Sequence, residues 1–320
     1  MWKYILNRII RWIPTVLMVL LIVYALAFFG AGDPIKLIFL RAPGDVAYNV
    51  ERIEAMREEA GLNRPFFVQF GDYLLHLAKG DFGNSLVSGR SVGSMISHAL
   101  PITLQIGLAA TVLLTVIGTA LGVVAALNHN KKLDNIISAF ALAVWGIPVF
   151  VSGPLLIVLL VRYLNIMDVP YGWKGLFNPQ IILPLIVLSI TPMALIIRQA
   201  RSAVLEVLSE DYIRTAKSKG IPRIQIVLKH ILRPILTPIV SQMGLITINM
   251  LNNAVLIETV FGIPGLGQLT VKSISNSDYP VILALVFIGS TVVLTVNLVV
   301  DLIFPLLDPR ALHKREEKKA

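Results

Sequence analysis

The residues with the types and spacing to do chemistry sit in a few places, and none of those places spells a catalytic centre. The densest begins at Leu208 and reads LSEDYIRTAKSKGIPRIQIVLKHILRPILTP, which parses as helix, sharp break, helix. Ser209 can cap the first of these helices. Glu210 and Asp211 fall in its first turn, where the helix dipole favours negative charge, and Lys217 and Lys219 in its last. Gly220 ends it, because a helix commonly exits through a left-handed residue. Pro222 suits the first turn of the next helix, where Ile224, Val227, Leu228 and Ile231 form an apolar stripe. Tyr212, Thr215, Ala216 and Lys219 recur at i, i+3, i+4 and i+7 and present one narrow face to a partner groove, with Ala216 and Gly220 permitting close backbone approach. The chemistry expected here is docking, not bond making.

A second set is Gln242, Asn249 and Asn253, seven and four residues apart on one helical face of an apolar segment. Amides at that spacing either line a path with hydrogen-bonding groups or tie neighbouring helices together. A third is ETVFGIPGLGQL, in which Glu258 is followed by Gly262, Pro264 and Gly265; it reads as a tight outer gate or as an ordinary surface loop. No G-x-x-x-x-G-K-[S/T] phosphate loop occurs, so the chain itself shows no means of splitting ATP. Cysteine is absent, and His76, His98, His129, His230 and His313 lack ligand spacing, so no metal or cofactor is expected on this chain.

The elements that must position these residues are lipid-facing helices. Of 320 residues, 56% are hydrophobic and 15% charged, with mean hydropathy +0.76. The +9 net charge sits in short connections between apolar runs, which excludes a generally basic nucleic-acid binder. Crossing a bilayer takes about 20 apolar residues in a helix. Residues 12–30, 102–127, 136–161, 181–197, 235–257 and 281–304 qualify, the fourth carrying Pro184 and Pro192. An all-α integral membrane fold with about six transmembrane helices is predicted, as one transmembrane domain over 1–320. Residues 31–101 form a loop or cap, in which Ile53, Met56 and Ala60 recur at helical spacing before Gly61. Residues 199–234 form a second long loop, and 305–320 a basic tail.

Lysine and arginine mark the side that is not translocated. Lys3, Arg8, Arg11, Lys131, Lys132, the run from Arg198 to Arg233 and the C-terminal tail all fall on one side, against Arg162, Lys174 and Lys272 on short loops of the other. Both termini and the 199–234 loop are therefore expected in the cytoplasm, and 31–101 outside. Trp2, Tyr4, Trp12, Tyr171, Trp173 and Tyr279 lie near span ends, as interfacial aromatics do.

DYIRTAKSKG followed by KHILRPIL resembles the cytoplasmic signature loop of binding-protein-dependent ABC permeases, in the form used by the dipeptide and oligopeptide group. The general family pattern is Glu-Ala-Ala, three residues, Gly, nine residues, Ile-x-Leu-Pro. Arg214, Thr215 and Ala216 stand at its first three positions, Gly220 is in place, and His230, Leu232 and Arg233 stand near its end with proline displaced to Pro234. Gly32-Asp33-Pro34, GLNRPFFVQFGDYL from Gly61, GDFGNSL from Gly80 and ETVFGIPGLGQL from Glu258 are similar to stretches in the same order in peptide permeases. The resemblance implies an importer permease fold in a bacterial or archaeal cytoplasmic membrane. It implies pairing with a second, paralogous permease, two ABC ATPase subunits that hydrolyse ATP with Mg, and an extracytoplasmic solute-binding protein. In that setting Glu210, Asp211, Tyr212, Arg214, Thr215, Ala216, Lys219 and Gly220 would couple to the ATPase. Gln242, Asn249 and Asn253 would line the path, and Glu258, Gly262, Pro264 and Gly265 would form the outer gate or binding-protein contact.

The expected substrates are di- and oligopeptides; glutathione, nickel chelates and oligosaccharides remain open within the same group. An ion-coupled transporter would need ionisable groups near the membrane midplane, and none of the six stretches has an obvious one. An intramembrane enzyme lacks a HExxH or Ser/Lys pair, whereas a channel subunit gives the 208–220 helix no task.

Overall fold

The computed structural model describes residues 2–30, 54, 57, 58 and 63–307. The expected helix through Ile53, Met56, Ala60 and Gly61, the Gly32-Asp33-Pro34 stretch and the tail beyond residue 307 lie outside the described residues. Long helices dominate the rest, because a segment in hydrocarbon must satisfy its own backbone amides. In chain order they are α1 (Trp2–Gly30), α2 (Phe66–Ala78), α3 (Val92–Leu127), α4 (Lys132–Trp145), α5 (Val149–Ile157), α6 (Ile182–Ser209), α7 (Asp211–Ser218), α8 (Leu232–Val260), α9 (Leu266–Ser275) and α10 (Tyr279–Leu307). Five stretches are long and apolar enough to cross a membrane, six if the bent pair α4–α5 counts as one.

That pair corrects the expected third span. Residues 136–161 are not one helix: the chain turns by 102° between α4 and α5. Pro148 has no amide to donate and biases Ile147 away from helical geometry, and Gly146 before them gives the helix no side chain to pack. A π-helical stretch, Val158–Tyr163, follows α5. The fourth span is longer than expected. Ala200, Ala203, Val204 and Val207 are buried and continue the i, i+3, i+4, i+7 series past residue 197, so α6 runs on to Ser209.

The chain divides into two compact units, Met1–Ile102 with Gly265–Leu294, and Thr103–Pro264 with Thr295–Ala320. In the first, α2 lies on α1 through aromatic edges: Tyr24 meets Phe70 at 5.4 Å and Phe28 meets Phe66 at 5.3 Å between ring centroids. A core of Val92, Ile96, Val281, Ala284 and Leu285 is flanked by Phe82. The GDFGNSL loop is pinned by Asp278, which accepts from Ser85 Oγ at 2.6 Å and from the Leu86 amide at 3.0 Å.

In the second unit α6 is the hub, packed against α4, α5 and α8. Its contact with α3 is made by small residues. A Cβ placed on Gly122 would lie 2.6 Å from Ala200 Cβ and 2.6 Å from the Ile197 carbonyl, and one on Gly118 would lie 2.9 Å from Ile196 Cγ2. Backbone cannot yield as a side-chain tip can. Gly122→Ala is therefore expected to destabilise the folded protein by about 1–3 kcal/mol, read as a lower thermal unfolding midpoint in detergent. Gly107→Ala, whose nearest neighbour would be Leu251 at 3.9 Å, should stay near wild type.

Candidate functional site

The helix expected at 208–220 is present as α7, set between the end of α6 and the segment leading to α8. Glu210 is its N-cap residue, with extended backbone, and Asp211 opens the first turn. Ser209 does not cap it. It ends α6 and donates instead to the Glu206 carbonyl at 2.6 Å, because the turn between the two helices is a single residue. The C-terminus follows expectation. Gly220 has φ +73°, its amide bonds the Lys217 carbonyl and the Ile221 amide bonds that of Ala216, the two bonds of a Schellman cap. Pro222 then precedes a helical turn, Arg223–Gln225, and a π-helical stretch, Ile226–Ile231, which runs into α8.

Burial divides α7 more sharply than its periodicity did. Ile213 and Ala216 are buried and anchor the helix on α6 and the π-helical stretch, whereas Asp211, Tyr212, Arg214, Thr215, Lys217, Ser218 and Lys219 are exposed. Ala216 is thus removed from the presented face: at 5% exposure it packs inward. What remains outward is a polar, mixed-charge surface. Partial desolvation first and the Glu210 charge second raise the Tyr212 phenol above its ordinary value.

Between α4 and α6 lies an ion pair that charge counting along the chain did not find. Asp134, in the first turn of α4, accepts both arms of Arg201 from α6, Nε at 2.6 Å and Nη2 at 2.7 Å. Its Oδ2 also accepts the Asn130 amide at 2.9 Å, and His129 Nδ1 stands 3.1 Å from Arg201 Nη2. The Asp134 side chain is 2% exposed and that of Arg201 28%, so the α4–α6 contact is held by a bidentate fork whose carboxylate is covered and whose guanidinium reaches solvent. Continued apolar periodicity through residue 207 was the signal that Arg201 belongs to a helix and not to a loop.

On α8, Gln242 and Asn253 are half-buried and Asn249 is exposed, its Nδ2 turned back to the Leu245 carbonyl at 3.1 Å. Ser241, Leu245, Asn252 and Leu256 are exposed on the same side as Asn249, so among the described residues this side of α8 is open and carries Asn252 as well. The four residues expected at the outer gate differ in placement and exposure. Glu258 lies inside α8, fully buried, and accepts from Thr103 Oγ1 at 2.6 Å, which withdraws it from any surface contact in this state. Gly262 has φ +64° and a Cβ there would lie 2.4 Å from the Tyr171 ring, so glycine is required. Pro264 is exposed, and Gly265 is the N-cap residue of α9. Among the described residues no group of three or more His, Asp or Glu is placed to hold a metal.

Comparison with known proteins ties this helical set to a family. The family of binding-protein-dependent transport system inner membrane components matches residues 118–313. The chain belongs to that family. The oligopeptide transport system permease OppB of Haemophilus influenzae is 33% identical to this permease over 311 residues, 97% of this chain and 99% of that protein. The glutathione transport system permease GsiC of Salmonella choleraesuis is 36% identical over 320 residues, 98% of this chain and all of that protein. The fold is like that of the MetNI methionine ABC transporter in inward-facing crystal forms, with TM-scores of 0.56 and 0.57, 19% identity, and coverage of 67% of this chain and 96% of that one. This permease is accordingly a multi-pass inner-membrane protein with the ABC importer permease fold, and α3 from residue 118, the α4–α6 lock, α7 and α8 all fall within the matched family region.

Proposed function

We propose that this chain is a transmembrane subunit of an ATP-driven importer for di- and oligopeptides, with its termini and α7 in the cytoplasm. It forms the translocation path with a second, paralogous permease, receives substrate from an extracytoplasmic binding protein, and docks α7 on one of two ATPase subunits that hydrolyse ATP with Mg. The observation that carries the reading is α7 itself: a short helix closed by the Gly220 cap, anchored by Ile213 and Ala216, with its polar side exposed among the described residues. A rigid helix joined to α6 and α8 can carry motion of the ATPase into the spans as alternation between inward-open and outward-open states. Near-full-length likeness to oligopeptide permeases supports peptide as substrate, and the open amide stripe on α8 offers hydrogen-bonding groups suited to it. The likeness to a glutathione permease favours a second reading, the same machine carrying that tripeptide-like thiol.

The absence of native cysteine makes a direct test simple. A photoreactive maleimide attached at Thr215→Cys is expected to cross-link this permease to its co-expressed ATPase subunit, with an adduct at Lys174→Cys absent. Cross-linking from Lys174→Cys alone would place the ATPase on the other side and sink the assignment.

A further inference from the structure

We infer that the turn between α3 and α4 is a second route by which α7 moves the spans, with Arg223 as the positioning residue that engages it. The turn is tightly bonded within itself. Asn128 donates its side-chain amide to the Val124 carbonyl at 2.9 Å, Asn130 holds φ +62°, and the Lys131 amide reaches the Asn128 carbonyl at 2.9 Å. Asp134 closes it by accepting the Asn130 amide at 2.9 Å. Two arginines grip this turn, one from each side of α7 in the chain. Arg201, on α6 ahead of α7, holds Asp134 through its fork and brings Nη2 to 3.1 Å from His129 Nδ1. Arg223, three residues beyond Gly220, donates Nη2 to the Leu127 carbonyl at 2.9 Å, an acceptor for which the end of α3 supplies no helical amide.

Each grip joins what the chain separates. Residues 127 and 223 are 96 positions apart and residues 134 and 201 are 67 apart, with α7 between the two arginines. A displacement of α7 is therefore felt at the turn from both sides: through α6 and Arg201 at Asp134, and through Arg223 at the end of α3. Leu127 and Arg223 line one cleft of about 380 Å³ together with Leu208 and Lys217, so packing leaves space here and the Arg223 bond reaches the end of α3 beside it. Arg223 is exposed, so its bond competes with water and contributes only modestly to the fold. Its effect is on direction. Without it the segment leading to α8 can swing while the end of α3 stays behind; with it the segment, the turn and α7 move as one body.

The inference rests on α7 being the ATPase dock, and the two can fail separately. In the full chain with its co-expressed partners, Arg223→Met keeps the length of the stem and removes the donor. It should lower peptide uptake per ATP hydrolysed by about threefold, the factor that a hydrogen bond in competition with water supplies, with a thermal midpoint near that of wild type. Arg223→Lys, which can still donate, should keep most of the coupling. Spin labels on Lys131→Cys and Ile224→Cys, both exposed, report the grip without any transport. Their separation should be the same with and without ATP while Arg223 is present, and should change with ATP in Arg223→Met. Equal uptake per ATP by Arg223→Met and wild type overturns the inference, as does a separation that changes with ATP while Arg223 is present or stays fixed in Arg223→Met. The separation measured with Arg223 in place decides the matter if Arg223→Met does not fold. Cross-linking of Thr215→Cys to the ATPase together with any of those contrary results would overturn this route alone; without that cross-link the docking reading falls, and the route with it.

Discussion

Replacing Arg201 with alanine is expected to be the most damaging single change to stability in this permease. The variant leaves Asp134, 2% exposed, with the Asn130 amide and His129 in place of a bidentate guanidinium. Removing one partner of a buried pair costs about 3 kcal/mol or more, because the remaining charge is stranded away from water. A thermal midpoint lower by roughly 5–10 °C is the expected reading in detergent or nanodiscs. Arg201→Lys should recover only part of it, since an ammonium cannot supply the fork that Nε and Nη2 provide. Replacing both residues, Asp134→Leu with Arg201→Leu, should recover most of the loss, because no uncompensated charge is then buried. A double variant as unstable as the single one would show that the pair specifies the α4–α6 packing itself.

The largest effect on transport is expected at Gly220. With φ +73°, a β-branched residue there pays the left-handed penalty of about 1–2 kcal/mol, and the Schellman cap that ends α7 gives way. No neighbour lies within 4 Å of a Cβ placed there, so the effect is conformational and not steric. Gly220→Val should cut peptide uptake per ATP hydrolysed by about tenfold, the factor that such a penalty takes from the docked population. Gly220→Asn, which tolerates that conformation, should keep most of the coupling. Equal uptake by wild type and Gly220→Val would mean that the direction of α7 does not matter.

Much of this was legible in the sequence where local rules govern. Gly220 and Pro222 mark the end of α7 and the start of the next helical segment, because left-handed exits and missing amides act within a few residues. Apolar length located the spans. What was not legible depended on partners distant in the chain. The break at Gly146-Ile147-Pro148 was hidden because hydropathy sums composition and is blind to direction. Ala216 fits a docking face by spacing alone; its burial follows from packing on α6 and the π-helical stretch. Asp134 with Arg201, and Thr103 with Glu258, join residues 67 and 155 positions apart. Such pairs leave no local signature. Charges inside continued apolar periodicity, as Arg201 is, were the one available hint.

The most direct test is uptake in proteoliposomes that contain this permease with its co-expressed second permease and ATPase subunits, with binding protein and labelled oligopeptide outside and ATP with Mg trapped within. Peptide should accumulate only with hydrolysable ATP, and the Gly220→Val complex should hydrolyse ATP with little accumulation. Accumulation that needs no ATP, follows an imposed ion gradient and is indifferent to Gly220→Val would contradict an ATPase-driven importer coupled through α7.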